Sequence, residues 1–132
     1  MKIDRTGFIL YVRKYADCVA FYQTVLGLEI QFQNEDLTCF DFFGTYLMVE
    51  QEDREDYLEL EVQQPKNFSC LRMNVADVRL ISEAVKEKNI EVDYQEHSWG
   101  IVAKFKDPDG NLIAFKDSKG FEKQIESYSA SL

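Results

Sequence analysis

With 132 residues, 45% of them hydrophobic and 10 Phe and 7 Tyr among them, the chain has material for one core and is excluded from the disordered class. Acidic residues number 24 against 15 basic, a net charge of −9, which argues against nucleic acid and anionic membrane surfaces as partners, since both reward cations. No apolar run approaches the ~20 residues of a membrane span, and Met1–Arg5 has none of the features of a signal peptide. Cys18, Cys39 and Cys70 form no CxxC pair, which suits a reducing compartment, so the expectation is a soluble cytoplasmic protein.

In chain order, Phe8–Val12 reads as a strand, β-branched and aromatic. Cys18, Phe21, Tyr22 and Val25 then fall on one helical face, and Gly27 stands where that helix should close. Three strands follow, Leu28–Gln33, Thr38–Phe43 and Thr45–Glu50, separated by Asn34–Asp36 and by Gly44. The acidic stretch Gln51–Asp56 reads as a solvated loop, and Pro65–Asn67 as a connection. The same order then returns. Ser69–Val75 is a strand, Asp77 an N-cap, and Val78, Ile81, Ala84, Val85 and Lys88 trace a second helix. Ile90–Tyr94, Gly100–Lys106 and Leu112–Asp117 are the remaining strands, with Glu96–Ser98 as a polar loop. Asp107-Pro108-Asp109-Gly110 suits a tight turn, Pro fixing φ and Gly supplying φ > 0. Phe121, Ile125 and Tyr128 place a short amphipathic helix in the tail. A βαβββ unit is therefore expected twice, neither copy able to bury its sheet alone.

Three segments carry a family resemblance. Phe21-Tyr22-Gln23-Thr24-Val25-Leu26-Gly27-Leu28 resembles the FYxxxLGL helix end of the vicinal oxygen chelate superfamily, which contains glyoxalase I, bleomycin and fosfomycin resistance proteins and extradiol dioxygenases. Phe105-Lys106-Asp107-Pro108-Asp109-Gly110-Asn111-Leu112-Ile113 is similar to its F-x-DPDGN-x-I hairpin, and Trp99-Gly100 to the WG pair of bleomycin-resistance-like members. The resemblance spans residues 7 to about 117. It implies an α+β fold: two βαβββ modules, about 7–60 and 68–117 with a helical tail at 118–132, forming a paired, curved, mixed-sheet saddle with helices outside. It also implies a single domain and a homodimer whose ligand groove is completed by the second chain.

In metal-dependent members of that superfamily four strand positions supply His, Glu or Gln ligands. The resemblance maps them onto Gly7, Met48 (Glu50 lying within a residue or two), Cys70 and Ala114. Gly and Ala carry no donor, Met is a poor ligand for hard divalent ions, and one Cys cannot hold a metal. The expectation is no metal and no cofactor.

Alternation along the strands says what faces the cavity if Gly7 does. Ile9, Tyr11, Tyr46, Met48, Glu50, Cys70, Arg72, Asn74, Val102, Lys104, Leu112, Ala114 and Lys116 join it. Phe8, Leu10, Val12, Leu47, Val49, Leu71, Met73, Val75, Ile113 and Phe115 face the helices. The candidate ligand-binding residues are Tyr11, Tyr46, Met48, Glu50, Cys70, Arg72, Trp99 and Lys104, an apolar wall with a few charges. Each has a plainer alternative. Arg72 touches ligand or pairs with Glu50. Trp99 stacks on ligand or plugs the space between the sheets. Cys70 is a nucleophile primed by Arg72 or an inert buried thiol. Lys104 and Lys116 read as solvated, and His97 as an exposed loop residue unless it serves as an acid–base. The leading function is metal-free sequestration of an aromatic or charged organic ligand. The alternatives are a glyoxalase-like lyase or isomerase with a displaced or metal-independent site, and a module that only dimerises.

Overall fold

The computed structural model describes residues 1–59 and 69–131. It comprises two compact units. The first contains β1(Gly7–Val12), α1(Tyr15–Thr24), β2(Ile30–Gln33), β3(Leu37–Phe42), β4(Thr45–Gln51) and α2(Glu55–Leu58). Its sheet runs β1-β4-β3-β2, with β1 parallel to β4 and the other pairs antiparallel. The second contains β5(Cys70–Val75), α3(Val78–Lys86), β6(Asp93–His97), β7(Gly100–Lys106), β8(Leu112–Asp117) and α4(Ser118–Ser131). Its order, β5-β8-β7-β6 with β5 parallel to β8, repeats the first topology.

In the first unit Leu10, Val12, Leu47 and Val49 form the buried strand face, and α1 contributes Cys18, Phe21 and Tyr22. The Tyr22 ring meets Phe21 edge-on at 5.2 Å and Phe40 at 6.3 Å. Each such side chain, fully buried, is worth about 1.5–3 kcal/mol. Beyond α1, Gly27 adopts φ +66° and Leu28 N–H reaches back to the Tyr22 carbonyl at 3.1 Å. That closure delays β2 to Ile30, although Leu28 is buried.

The Asp107–Gly110 turn belongs to this first unit. Asp109, fully buried, accepts the backbone N–H groups of Arg13 (2.9 Å) and Lys14 (3.0 Å) at the start of α1. Its other oxygen meets Arg13 Nε at 3.3 Å. Tyr22 donates its hydroxyl to Asp107 at 2.7 Å. Burial first, and the Asp107 carboxylate second, push that phenol far above its ordinary value, so it remains a donor.

In the second unit α3 starts at Asp77, whose side chain accepts the Leu80 N–H at 3.0 Å. Its buried residues are Val78, Ser82 and Val85, and Ala84, expected on that face, is exposed. Ser82 escapes the cost of burying a hydroxyl by donating to the Val78 carbonyl at 2.7 Å. The strand expected at Ile90–Tyr94 lies instead at Asp93–His97. Asn89 (φ 61°) turns the chain out of the helix, and the strand is a polar, mostly exposed edge whose side chains carry no apolar alternation. His97 is thus a strand residue, paired with Gly100 across the two-residue hairpin Ser98–Trp99, and not part of a loop. Glu55–Leu58 forms one helical turn that begins in the last two residues of the stretch read as acidic loop, while the Pro65–Asn67 connection lies outside the described residues.

The β3–β4 hairpin sets Phe43 and Gly44 both at positive φ, 53° and 90°. This is the geometry that favours Asn-Gly, and Phe43 is 76% exposed there. Phe43→Asn should stabilise the fold by about 0.5–1 kcal/mol, read as a higher urea midpoint. An unchanged or lower midpoint would mean that the Phe43 ring, edge-on to Phe42 at 5.2 Å, outweighs the backbone strain.

Candidate functional site

On the first sheet the pairs Gly7↔Tyr46, Ile9↔Met48 and Tyr11↔Glu50 put all six residues on the face away from the core. Ile9 and Tyr11 stay 38% and 43% exposed, and Tyr46, Met48 and Glu50 are half-buried. A Cβ built on Gly7 would overlap the Tyr46 ring, so the ring covers the Gly7 backbone and fills the space a side chain there would need. Phe8, expected on the core side, is 45% exposed, and burial in β1 begins at Leu10.

The acidic stretch holds a residue that the sequence reading missed. Glu52 is buried and grips Arg54 through two bonds, Nε–Oε1 at 2.7 Å and Nη2–Oε2 at 3.0 Å. That grip sets the guanidinium 5.4 Å from the Tyr11 ring centre and 4.1 Å from that of Tyr57. The available signal is a lone Arg among acids, three residues past the end of β4.

On the second sheet Arg72 and Lys104 both pair with Ala114 from opposite sides, and Cys70, Asn74, Val102 and Lys116 share their face. Cys70 is exposed, not buried. Desolvation pushes its thiol above the ordinary value, although Lys104 and Arg72 pull the other way, so it is not a primed nucleophile. Lys104 is exposed as expected. Lys116 is not: it is completely buried. The tail helix α4 packs on β5, β7 and β8 and covers it. Its ammonium donates to the Trp99 carbonyl (3.3 Å) and Gln124 Oε1 (3.2 Å) and lies 4.2 Å from the Trp99 ring centre. Val102 and Ala114 are buried on the same face, and Arg72 reaches over the Phe121 ring of α4 at 5.6 Å.

Trp99, 46% exposed at the hairpin tip, stacks on His97 with ring centres 4.4 Å apart and planes 9° from parallel. His97 Nε2 is 2.8 Å from Gln95 Oε1. Between this hairpin and the first turns of α4 is a cleft of about 670 Å³. At its floor Asp117 accepts the N–H groups of Ile101 (2.7 Å) and Gly120 (2.8 Å), capping α4. The Ile101 amide is the main cause that holds this carboxyl below its ordinary value. Gly100 follows Trp99 of necessity: at φ +144° a Cβ would come within 2.7 Å of both Asp117 Oδ1 and Lys116 Nζ.

The residues present do not fit a divalent metal. The tyrosine ring fills the place above Gly7, Ala114 is a buried methyl between two cations, Met48 offers a soft thioether, and Cys70 has Lys104 and Arg72 for neighbours. Among the described residues, no three His, Cys, Asp or Glu side chains come together as a ligand group.

Two βαβββ modules, each closing a four-stranded mixed sheet over its helix, define a protein of the vicinal oxygen chelate superfamily. The chain belongs to the glyoxalase-like family, whose Glyoxalase-like domain matches residues 6–119. No curated protein matches it. Among solved structures it is similar to the genomically encoded fosfomycin resistance protein FosX from Listeria monocytogenes, with TM-score 0.72 and 16% identity over 89% of this chain and 95% of that one. It is similar to a lactoylglutathione lyase from Agrobacterium tumefaciens, with TM-score 0.70 and 18% identity over 88% and 94%. A bleomycin resistance determinant encoded on transposon Tn5 gives TM-score 0.65 and 18% identity over 87% and 98%. Identities this low speak for the fold alone, which hosts a lyase and resistance proteins alike. No helix among the described residues is long and apolar enough to cross a membrane.

Proposed function

We propose that the protein is a metal-free, cytoplasmic small-molecule binder that sequesters an aromatic or charged organic ligand on its strand faces. Tyr11, Tyr46, Met48 and Glu50 are the candidate contacts from the first sheet, and Cys70, Arg72 and Lys104 from the second, with Trp99 at the hairpin tip. The observation that carries this reading is the Tyr46 ring over Gly7, beside half-exposed Ile9 and Tyr11. It is an aromatic, donor-poor surface where a metal-dependent relative would carry a ligand. Apolar walls with a few placed polar groups are what small organic molecules bind, and Arg54, held by Glu52, lies beside Tyr11.

The test is a titration with planar aromatic amines and carboxylates, followed by calorimetry. Tyr11→Ala should weaken the tightest binder by more than ~1 kcal/mol, and mass spectrometry should recover that compound unaltered. Equal affinity for the variant, or a chemically changed compound, would overturn the reading. A homodimer is part of the proposal, with an interface of about 1,200–2,000 Å² or more. Sedimentation should therefore give twice the 15.5 kDa chain mass. A monomer at micromolar concentration would contradict it.

A further inference from the structure

We infer that the cleft between the β6–β7 hairpin and α4 is a second binding site, for a small aromatic anion carrying a carboxylate or phosphate. Three observations converge on it. The first is size: about 670 Å³ lies within the range of pockets that hold drug-sized molecules.

The second is its aromatic wall. His97 and Trp99 stack at 4.4 Å, and Trp99 has the Lys116 ammonium 4.2 Å from its ring centre. With His97 and the Lys116 ammonium both against the indole, a ligand ring meets the outer face of His97 or the edge of the stack. Lys116 is itself completely buried; its ammonium touches a carbonyl, an amide and that ring, and it also attracts the neighbouring Asp117 carboxylate. The nearest acid, Asp117, has its oxygens engaged by the Ile101 and Gly120 N–H groups.

The third is charge against the background of the chain. Acids outnumber bases 24 to 15 overall, yet the cleft is lined by Lys119 and Lys123 against a single acid, Asp117. The two lysines are one helical turn apart on α4, both exposed, and among the described residues neither has a carboxylate within ion-pair distance. Two free ammonium groups a turn apart, facing an aromatic stack, match a ring that carries a negative group at one end.

Trp99 is the only tryptophan and lines this cleft, so its emission follows ligand binding, and the variants assign that binding to the cleft or to the strand faces. The experiment titrates the full chain with benzoate and phenyl phosphate, and with benzyl alcohol and inorganic phosphate as the two half-ligands. The anionic aryl compounds should change Trp99 emission saturably below about 10 mM, with either half-ligand weaker by roughly tenfold. Lys119→Glu/Lys123→Glu should weaken the aryl anions by roughly tenfold or more, while the charge-matched Lys2→Glu/Lys86→Glu leaves them within about twofold. Benzyl alcohol or inorganic phosphate binding as tightly as the aryl anion would overturn the inference, as would affinity unchanged in Lys119→Glu/Lys123→Glu. Aryl-anion binding lost in Tyr11→Ala but kept in Lys119→Glu/Lys123→Glu would also overturn it, while leaving the strand-face binder standing.

Discussion

Asp109→Ala should cost about 3–5 kcal/mol of stability, the largest loss expected of any single substitution here, because it removes the carboxylate from beside a buried guanidinium and from the start of α1. The Arg13 side chain is 6% exposed and that of Asp109 not at all. One Asp109 oxygen also receives the N–H groups of Arg13 and Lys14, and Arg13 Nη2 donates to the Asp109 carbonyl at 3.1 Å. Lys14, at the N-cap of α1, provides no side-chain cap of its own, so the turn residue takes that task. Asp109→Asn keeps the shape and loses the charge, and should fall between the two. Urea midpoints measure all three, and an Ala variant within about 1 kcal/mol of the parent would show that water satisfies Arg13 instead.

Gly7→Val should cost about 1–3 kcal/mol, and the loss should disappear when Tyr46 is already alanine. The reason is the overlap of any Cβ at Gly7 with the Tyr46 ring. Tyr46→Ala alone bares the Gly7 backbone and should also destabilise, so the double variant is the informative member of the cycle. Additive losses would show that Gly7 is needed for its backbone alone, and that Tyr46 does not hold the space above it.

Much of the scaffold is written in local pattern. Six of the eight strands fall within a residue or so of where β-branched and aromatic runs put them, and alternation along β1, β4, β5, β7 and β8 gives which residues share a face, although Phe8 is exposed and Val102, Ala114 and Lys116 are buried. The exceptions have physical causes. β6 is a polar edge whose pairing with β7 is made by backbone groups, so its side chains announce nothing. β2 is shortened by a turn that one glycine permits. Ser82 reads as polar until its hydroxyl finds a carbonyl one turn back.

The candidate site was less legible because long-range packing decides it. The tail stripe Phe121, Ile125 and Tyr128 predicts a helix correctly. Yet Ile125 and Tyr128 remain 51% and 67% exposed, and Gly120, Phe121 and Gln124 meet the rest of the unit. Periodicity gives a helix and a moment, not the surface it lands on. Lys116 is buried for that reason alone. Glu52 and Arg54 were hidden in the same way, inside a run of charge that reads as solvent-facing until one carboxylate folds under the chain.

Metal loading distinguishes strand faces that bind an organic ligand without a metal from faces that need an ion. The chain is stripped with chelator, dialysed against Ni²⁺, Zn²⁺ or Mn²⁺, and measured for both retained metal and melting temperature. Gly7, Met48, Cys70 and Ala114 offer too few donors for zinc, which wants three or four, or for the harder ions, which want at least one or two carboxylates. A metal-free binder retains no metal and shows no rise in Tm, because a ligand stabilises only by binding the folded state. Near-stoichiometric metal with a raised Tm would contradict it, and turnover of a methylglyoxal–glutathione adduct by the loaded protein would put a lyase in its place.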